Sequence, residues 1–180
     1  MSADLLERDH EELGGLFEQL FRKLDADDAG GAFDLLDLLW ARLAMHIRAE
    51  HLWLFPAILE AAAAAAGEPS APAPGLAQQS IARLKSDHDF FMREMARAVT
   101  ALRPLKSSGD RSAALEGMLE VRRRITAVCE HLEEHNRLEE EEVYKWTGLL
   151  NSEQCAQLGR SVRREIENMP PRFQPPQART

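Results

Sequence analysis

The sequence predicts an all-α protein: an up-down-up-down four-helix bundle followed by a short fifth helix. Three features carry that expectation. Apolar residues recur at three- and four-residue steps through four long stretches, and prolines and glycines cluster in the connections between them and in the tail. The second pair of stretches also repeats the pattern of the first. Long amphipathic helices joined by short loops pack as antiparallel neighbours.

Residues 3 to 25, the first helix, carry Leu6, His10, Leu13, Phe17, Leu20 and Leu24 on one face. The run Asp25 to Gly31 stops this helix and supplies acidic residues to start the next. Helix two runs from about Ala32 into the alanines at 61 to 66, with Leu36, Leu39, Leu43, Ile47 and Leu54 as its stripe and a kink expected at Pro56. The segment GEPSAPAPG, Gly67 to Gly75, cannot be crossed by a helix. Helix three spans Leu76 to Leu102, showing Ile81, Leu84, His88, Phe91 and Met95, and Pro104 to Asp110 forms a turn. Helix four, Ser112 to Trp146, turns Val121, Ile125, Val128, Leu132 and Val143 inward. The bundle thus occupies residues 1–150. A fifth amphipathic helix lies within 151–168, where Leu158, Val162 and Ile166 either cover the bundle or join two copies as a homodimer, and the tail 169–180 is expected to be disordered.

Composition narrows the function. A net charge of −8 in 180 residues argues against a nucleic-acid or anionic-membrane surface, since both need clustered Lys and Arg. The one basic run, Arg122 to Arg124, reads as a solvated helix face. Cys129 and Cys155 belong to no CxxC or nucleophile signature. No signal-length or membrane-length apolar run is present, so a cytoplasmic protein is expected.

The chemistry lies in a repeated pair. His46 and Glu50 stand four apart in helix two, and His135 and Glu139 stand four apart in helix four. On a wheel of about 100° per residue, with Leu43 and Leu132 at zero, both histidines fall near about −60° and both glutamates near about −20°. All four point at the core. A shift of 78 positions overlays Asp9-His10 on Asp87-His88, and a shift of 89 overlays the two HxxxE pairs. Each half therefore offers one core His and one core HxxxE.

Unpaired buried carboxylates cost several kcal/mol, and no Lys or Arg occupies either stripe, so a metal is the economical counter-charge. His10, His46, Glu50, His88, His135 and Glu139 are the candidate ligands. His131, near about −100°, is the alternative to His135, because His135 lies about 13 Å further from the connecting turn than His88 does at 1.5 Å per residue. The 103 to 114 connection must absorb that difference, or helix three must continue past Pro104. His51, matching Glu140 in the second half, is placed on the flank, as is Tyr144 by its wheel angle; Glu140 to Glu142 read as a solvated face. Imidazoles with bridging carboxylates and no thiolate suit two six-coordinate iron or manganese ions better than a closed zinc site.

The set DH at 9–10, HxxxE at 46–50, DH at 87–88 and HxxxE at 135–139 resembles the hemerythrin-like HHE cation-binding family over about residues 3 to 146. The resemblance implies a four-helix bundle around two non-haem Fe ions with an oxo or hydroxo bridge, held by the six residues named above. The chain is similar to the four-His, two-Glu branch rather than to the oxygen carriers, whose third helix carries HxxxH; here Met92 stands four after His88. That departure argues against reversible oxygen carriage. The resemblance implies one of two functions. One is a di-iron protein that binds or reacts with O2, NO or peroxide in stress response or iron-centre repair. The other is a non-catalytic iron or oxygen sensor, or an iron store, acting through a partner.

Overall fold

The computed structural model describes residues 3–107 and 111–174, which are helical apart from their connections. Helix α1 (Ala3–Asp25) is followed by α2 (Ala29–Ala49), a π-helical turn (Glu50–Leu54) and α3 (Phe55–Ala64), these last three forming one interrupted rod. Next come α4 (Leu76–Leu102), a 3-10 turn (Arg103–Ser107), α5 (Arg111–Leu138), a second π turn (Glu139–Val143) and a 3-10 turn (Tyr144–Leu149). Helix α6 (Ser152–Glu167) ends the series. Helix α1 packs on α2 and α5, and α4 packs on the same two, so the four rods close a square with α6 laid against α2. This is an all-α bundle, as expected.

Local chemistry sets the boundaries. Asp28 caps α2 by accepting from the Gly31 amide at 2.8 Å, which starts the helix at Ala29 rather than Ala32. Asp27 turns the chain with φ 55°, and Gly75 begins α4 with φ 82°, a conformation that favours residues without a Cβ. Asn151 and Gln154 form a reciprocal capping box on α6.

Two expectations change in detail. Where a kink is expected at Pro56, the rod carries a π turn that ends just before it, and the proline sits in the first turn of α3. The length difference between α4 and α5 is absorbed by the 3-10 turn, which carries the chain on past Pro104; residues 108–110 lie outside the described residues. Leu105 of that turn seats against Gly117, where a Cβ would come within 2.6 Å of it. Pro171–Phe173 form one more 3-10 turn, Arg172 donates to Asp37 at 2.8 Å, and positions 175–180 of the expected tail lie outside the described residues.

The core is divided. One apolar cluster holds Leu13, Phe17, Leu36, Leu43, Phe91, Met95, Ile125 and Leu132. The other holds Leu6, Leu54, Phe55, Ile58, Leu84, Val143 and Tyr144, together with Leu158, Val162 and Ile166 of α6. The α6 stripe is thus spent within its own chain, and an ion pair of Arg48 with Glu165 at 2.5 Å fixes it to α2. His10 falls between Leu6 and Leu13, and His88 between Leu84 and Phe91, so a polar layer separates the two clusters.

Phe91 ties the first cluster to that layer, standing edge-on to His135 at 5.1 Å. We expect Phe91→Ala to cost about 3–5 kcal/mol of stability by chemical denaturation; a loss below about 1 kcal/mol would show that the packing beneath the polar layer is slack.

Candidate metal centre

All six candidate residues converge in this layer, and each is less than a tenth exposed. The His10 and His46 Nε2 atoms lie 3.1 Å apart, and those of His88 and His135 lie 3.0 Å apart. Two adjacent ligands on one ion at bonds near 2.1 Å would be about 3.0 Å apart, so both spacings match a shared ion. Glu50 and Glu139 stand between the pairs with no exposed surface. Glu50 places Oε1 3.5 Å from His46 Nε2 and Oε2 3.3 Å from His88 Nε2. Glu139 places Oε2 3.3 Å from His10 Nε2 and Oε1 3.2 Å from His135 Nε2. Each glutamate therefore gives one oxygen to each histidine pair.

The outward nitrogens are held as well. His46 Nδ1 donates to Asp9 at 2.9 Å, His135 Nδ1 to Asp87 at 3.3 Å, and His10 Nδ1 to Glu140 at 2.8 Å. An ionised carboxylate can only accept, so each of these imidazoles keeps a proton on Nδ1 and aims Nε2 inward. His88 Nδ1 meets His51 Nε2 at 2.9 Å. Asp9 also takes a contact from Arg42, and Asp87 a 3.0 Å contact from His131 Nε2.

His131 is therefore placed outside the cluster, two-fifths exposed, where it orients Asp87. His135 is the residue that enters the cluster. Two placements differ from the sequence expectation. Glu140 reaches His10 although its side chain is partly solvated. Tyr144, expected on the flank, is buried and donates its hydroxyl to Glu50 Oε1 at 2.9 Å and Glu139 Oε2 at 3.2 Å. The cause is the π turn. Its one extra residue rolls the downstream residues back by about 100°, which carries Tyr144 from the flank to the core. The Asp–His dipeptide, present in both halves, was the visible signal for Asp9 and Asp87 as orienting groups.

The donor set fits a cation. Glu50 Oε2 and Glu139 Oε1 accept no well-formed hydrogen bond despite complete burial, and the described ion pairs of both carboxylates are to histidines alone. His10, His46, Glu50 and Glu139 are spaced to hold one ion, and His88, His135 and Glu139 another.

In protein stripped of metal, protons on His46 and His135 balance these carboxylates. Burial opposes a charged His46, but the Glu50 charge and a hydrogen bond to Asp9 outweigh it and push its pKa up to about 10. Burial would raise Glu50, yet the charge of His46 holds its carboxyl well below the usual carboxylate range. The same balance raises His135, where the Glu139 charge overcomes burial. Burial and the two glutamate charges keep the Tyr144 hydroxyl protonated far into the alkaline range.

Chelator-treated protein should therefore carry a pH signature. The raised His46 contributes stability in full below its ordinary value of 6.5 and loses it as pH climbs through about 10. The depressed Glu50 contributes in full above its ordinary value of 4.5 and loses it as pH falls through its lower folded value. The denaturation midpoint should be highest between 4.5 and 6.5 and decline on both sides. An alkaline decline equally steep in His46→Gln would contradict the assignment to His46.

Compared with known proteins, the sequence matches the Hemerythrin HHE cation binding domain over residues 1–147. No curated protein and no solved structure matches it. With that match covering all four long helical rods and both histidine pairs, the chain belongs to the hemerythrin HHE cation-binding family.

Proposed function

We propose that this chain is a non-haem di-iron protein that binds or reacts with O2, NO or peroxide, in a stress response or in repair of iron centres. The observation that carries the reading is the division of each glutamate between the two histidine pairs, the arrangement needed for two ions to share both carboxylates. His10, His46, Glu50 and Glu139 would hold one ion, and His88, His135 and the same two glutamates the other. Nitrogen and carboxylate donors without thiolate favour iron, with manganese as the alternative and zinc disfavoured. Bound there, the ions would supply Lewis acidity and one-electron redox chemistry to a small ligand.

The chain's own residues do the rest. Asp9, Asp87 and Glu140 orient three of the rings, His51 stands against the fourth, the two apolar clusters exclude bulk water, and the Tyr144 hydroxyl donates its proton to Glu50 Oε1 with the two oxygens 2.9 Å apart. A cavity of about 210 Å³ between α1 and α5 is lined by His10 together with Gly14, Phe17, Cys129 and Leu132, and offers a small ligand a route to that ring. A sensor or iron store acting through a partner at α6 is less well supported, because the apolar stripe of that helix is already covered. No described helix is long and apolar enough to cross a membrane.

Anaerobic loading with Fe²⁺ should give about two ions per chain by metal analysis. Glu50→Gln should weaken both ions together, because its two oxygens serve both pairs; loss of one ion with the other unaffected would break the sharing argument. His135→Ala binding iron undiminished would overturn the ligand set. Gly14 has open space where a Cβ would stand, so Gly14→Leu should fold normally and fill the cavity. Its reaction with O2, NO or peroxide in stopped flow should slow at unchanged iron content, and an unchanged rate would place the route elsewhere.

A further inference from the structure

The two halves of the centre are related by the sequence repeat, and the repeat shows where they differ. The shift of 89 that overlays Glu50 on Glu139 also overlays His51 on Glu140 and Phe55 on Tyr144. The structure puts these counterparts in matching places. Glu140 accepts from His10 Nδ1 at 2.8 Å, and His51 meets His88 Nδ1 at 2.9 Å. Tyr144 stacks on His10 with centroids 5.9 Å apart, and Phe55 stacks on His88 at 6.1 Å. The other two rings are backed alike, His46 by Asp9 at 2.9 Å and His135 by Asp87 at 3.3 Å. One half thus has carboxylates behind both imidazoles, whereas the other has a carboxylate and an imidazole.

A carboxylate accepting from the outer nitrogen of an imidazole fixes its tautomer and raises the basicity of the inner nitrogen. An imidazole in that place carries no charge to polarise the ring and can itself donate, which leaves the tautomer of His88 unfixed. We propose that the two metal positions are unequal by construction and fill in order, with a divalent first-row cation entering the His10/His46 half first because Glu140 backs His10. The His88/His135 half fills second because His51 stands where its carboxylate would be. Glu140 and His51 are positioning residues that act through the rings they hold. At limiting metal the chain would carry a single ion, in the half onto which the cavity between α1 and α5 opens. The inference rests on the metal reading above.

The test is titration of the full, chelator-treated chain with Co²⁺, followed by calorimetry and visible absorption. Wild-type protein should bind in two phases separated by about tenfold or more in affinity. His10→Ala should lose the tight phase and His88→Ala the weak one. Glu140→Gln should weaken the tight phase about tenfold without moving the thermal midpoint of the metal-free protein. The informative change is His51→Glu, which supplies the missing carboxylate and should strengthen the weak phase, a gain that damage to the fold would not produce. Two indistinguishable phases, a tight phase lost in His88→Ala, or no gain in His51→Glu would overturn the inference while leaving a two-metal centre intact. Failure to bind any Co²⁺ would overturn the metal reading and this inference with it.

Discussion

Two carboxylates with no solvent exposure, side by side in the middle of a helical bundle, are the constraint to which everything else in this protein answers. Left uncompensated, each would cost several kcal/mol, and their mutual repulsion would add to that. The bundle answers with four imidazoles whose inner nitrogens come within 3.5 Å of the carboxylate oxygens. His46 and His135 serve two states, pairing with Glu50 and Glu139 when protonated and offering Nε2 as a donor when not. A cation at the centre would compete with those protons for the same atoms, which would couple its binding to pH.

The apolar layers above and below give this polar layer its rigidity. Leu6, Leu54, Leu84 and Val143 close one side, and Leu13, Leu43, Phe91 and Leu132 the other. Close-packed clusters of this kind do not deform continuously, so the packing on both sides holds the spacing of the six side chains. Helix α6, which begins beyond the residues matched to the family, adds Leu158, Val162 and Ile166 to the first of these layers.

The two π turns are the local device that makes the layer fit. Each begins at a glutamate of the cluster, and each carries an amide-to-carbonyl bond across five residues, from Phe55 to Glu50 and from Tyr144 to Glu139. Single π turns within α-helices are often found at functional sites, where the extra residue redirects side chains. Here it brings two aromatic rings onto two histidines of the cluster. That the π turns recur at equivalent places agrees with the repeat in the sequence, and the differences between Phe55 and Tyr144, or His51 and Glu140, are confined to the groups behind and beside the ligands.

The fold class, the helix order and the inward faces of His10, His46, Glu50, His88, His135 and Glu139 were legible in the amino-acid pattern. All of these rest on a hydrophobic period of 3.6 residues, which decides which face of a helix is buried. Three details needed the packed molecule. The contact of His131 with Asp87, which holds it outside the cluster, depended on α4 and α5 being neighbours. The inward place of Tyr144 depended on a π turn, which a wheel of constant pitch cannot contain. The contact of Glu140 with His10 depended on α1 and α5 being neighbours, and periodicity along one helix carries no information about which helix stands beside it.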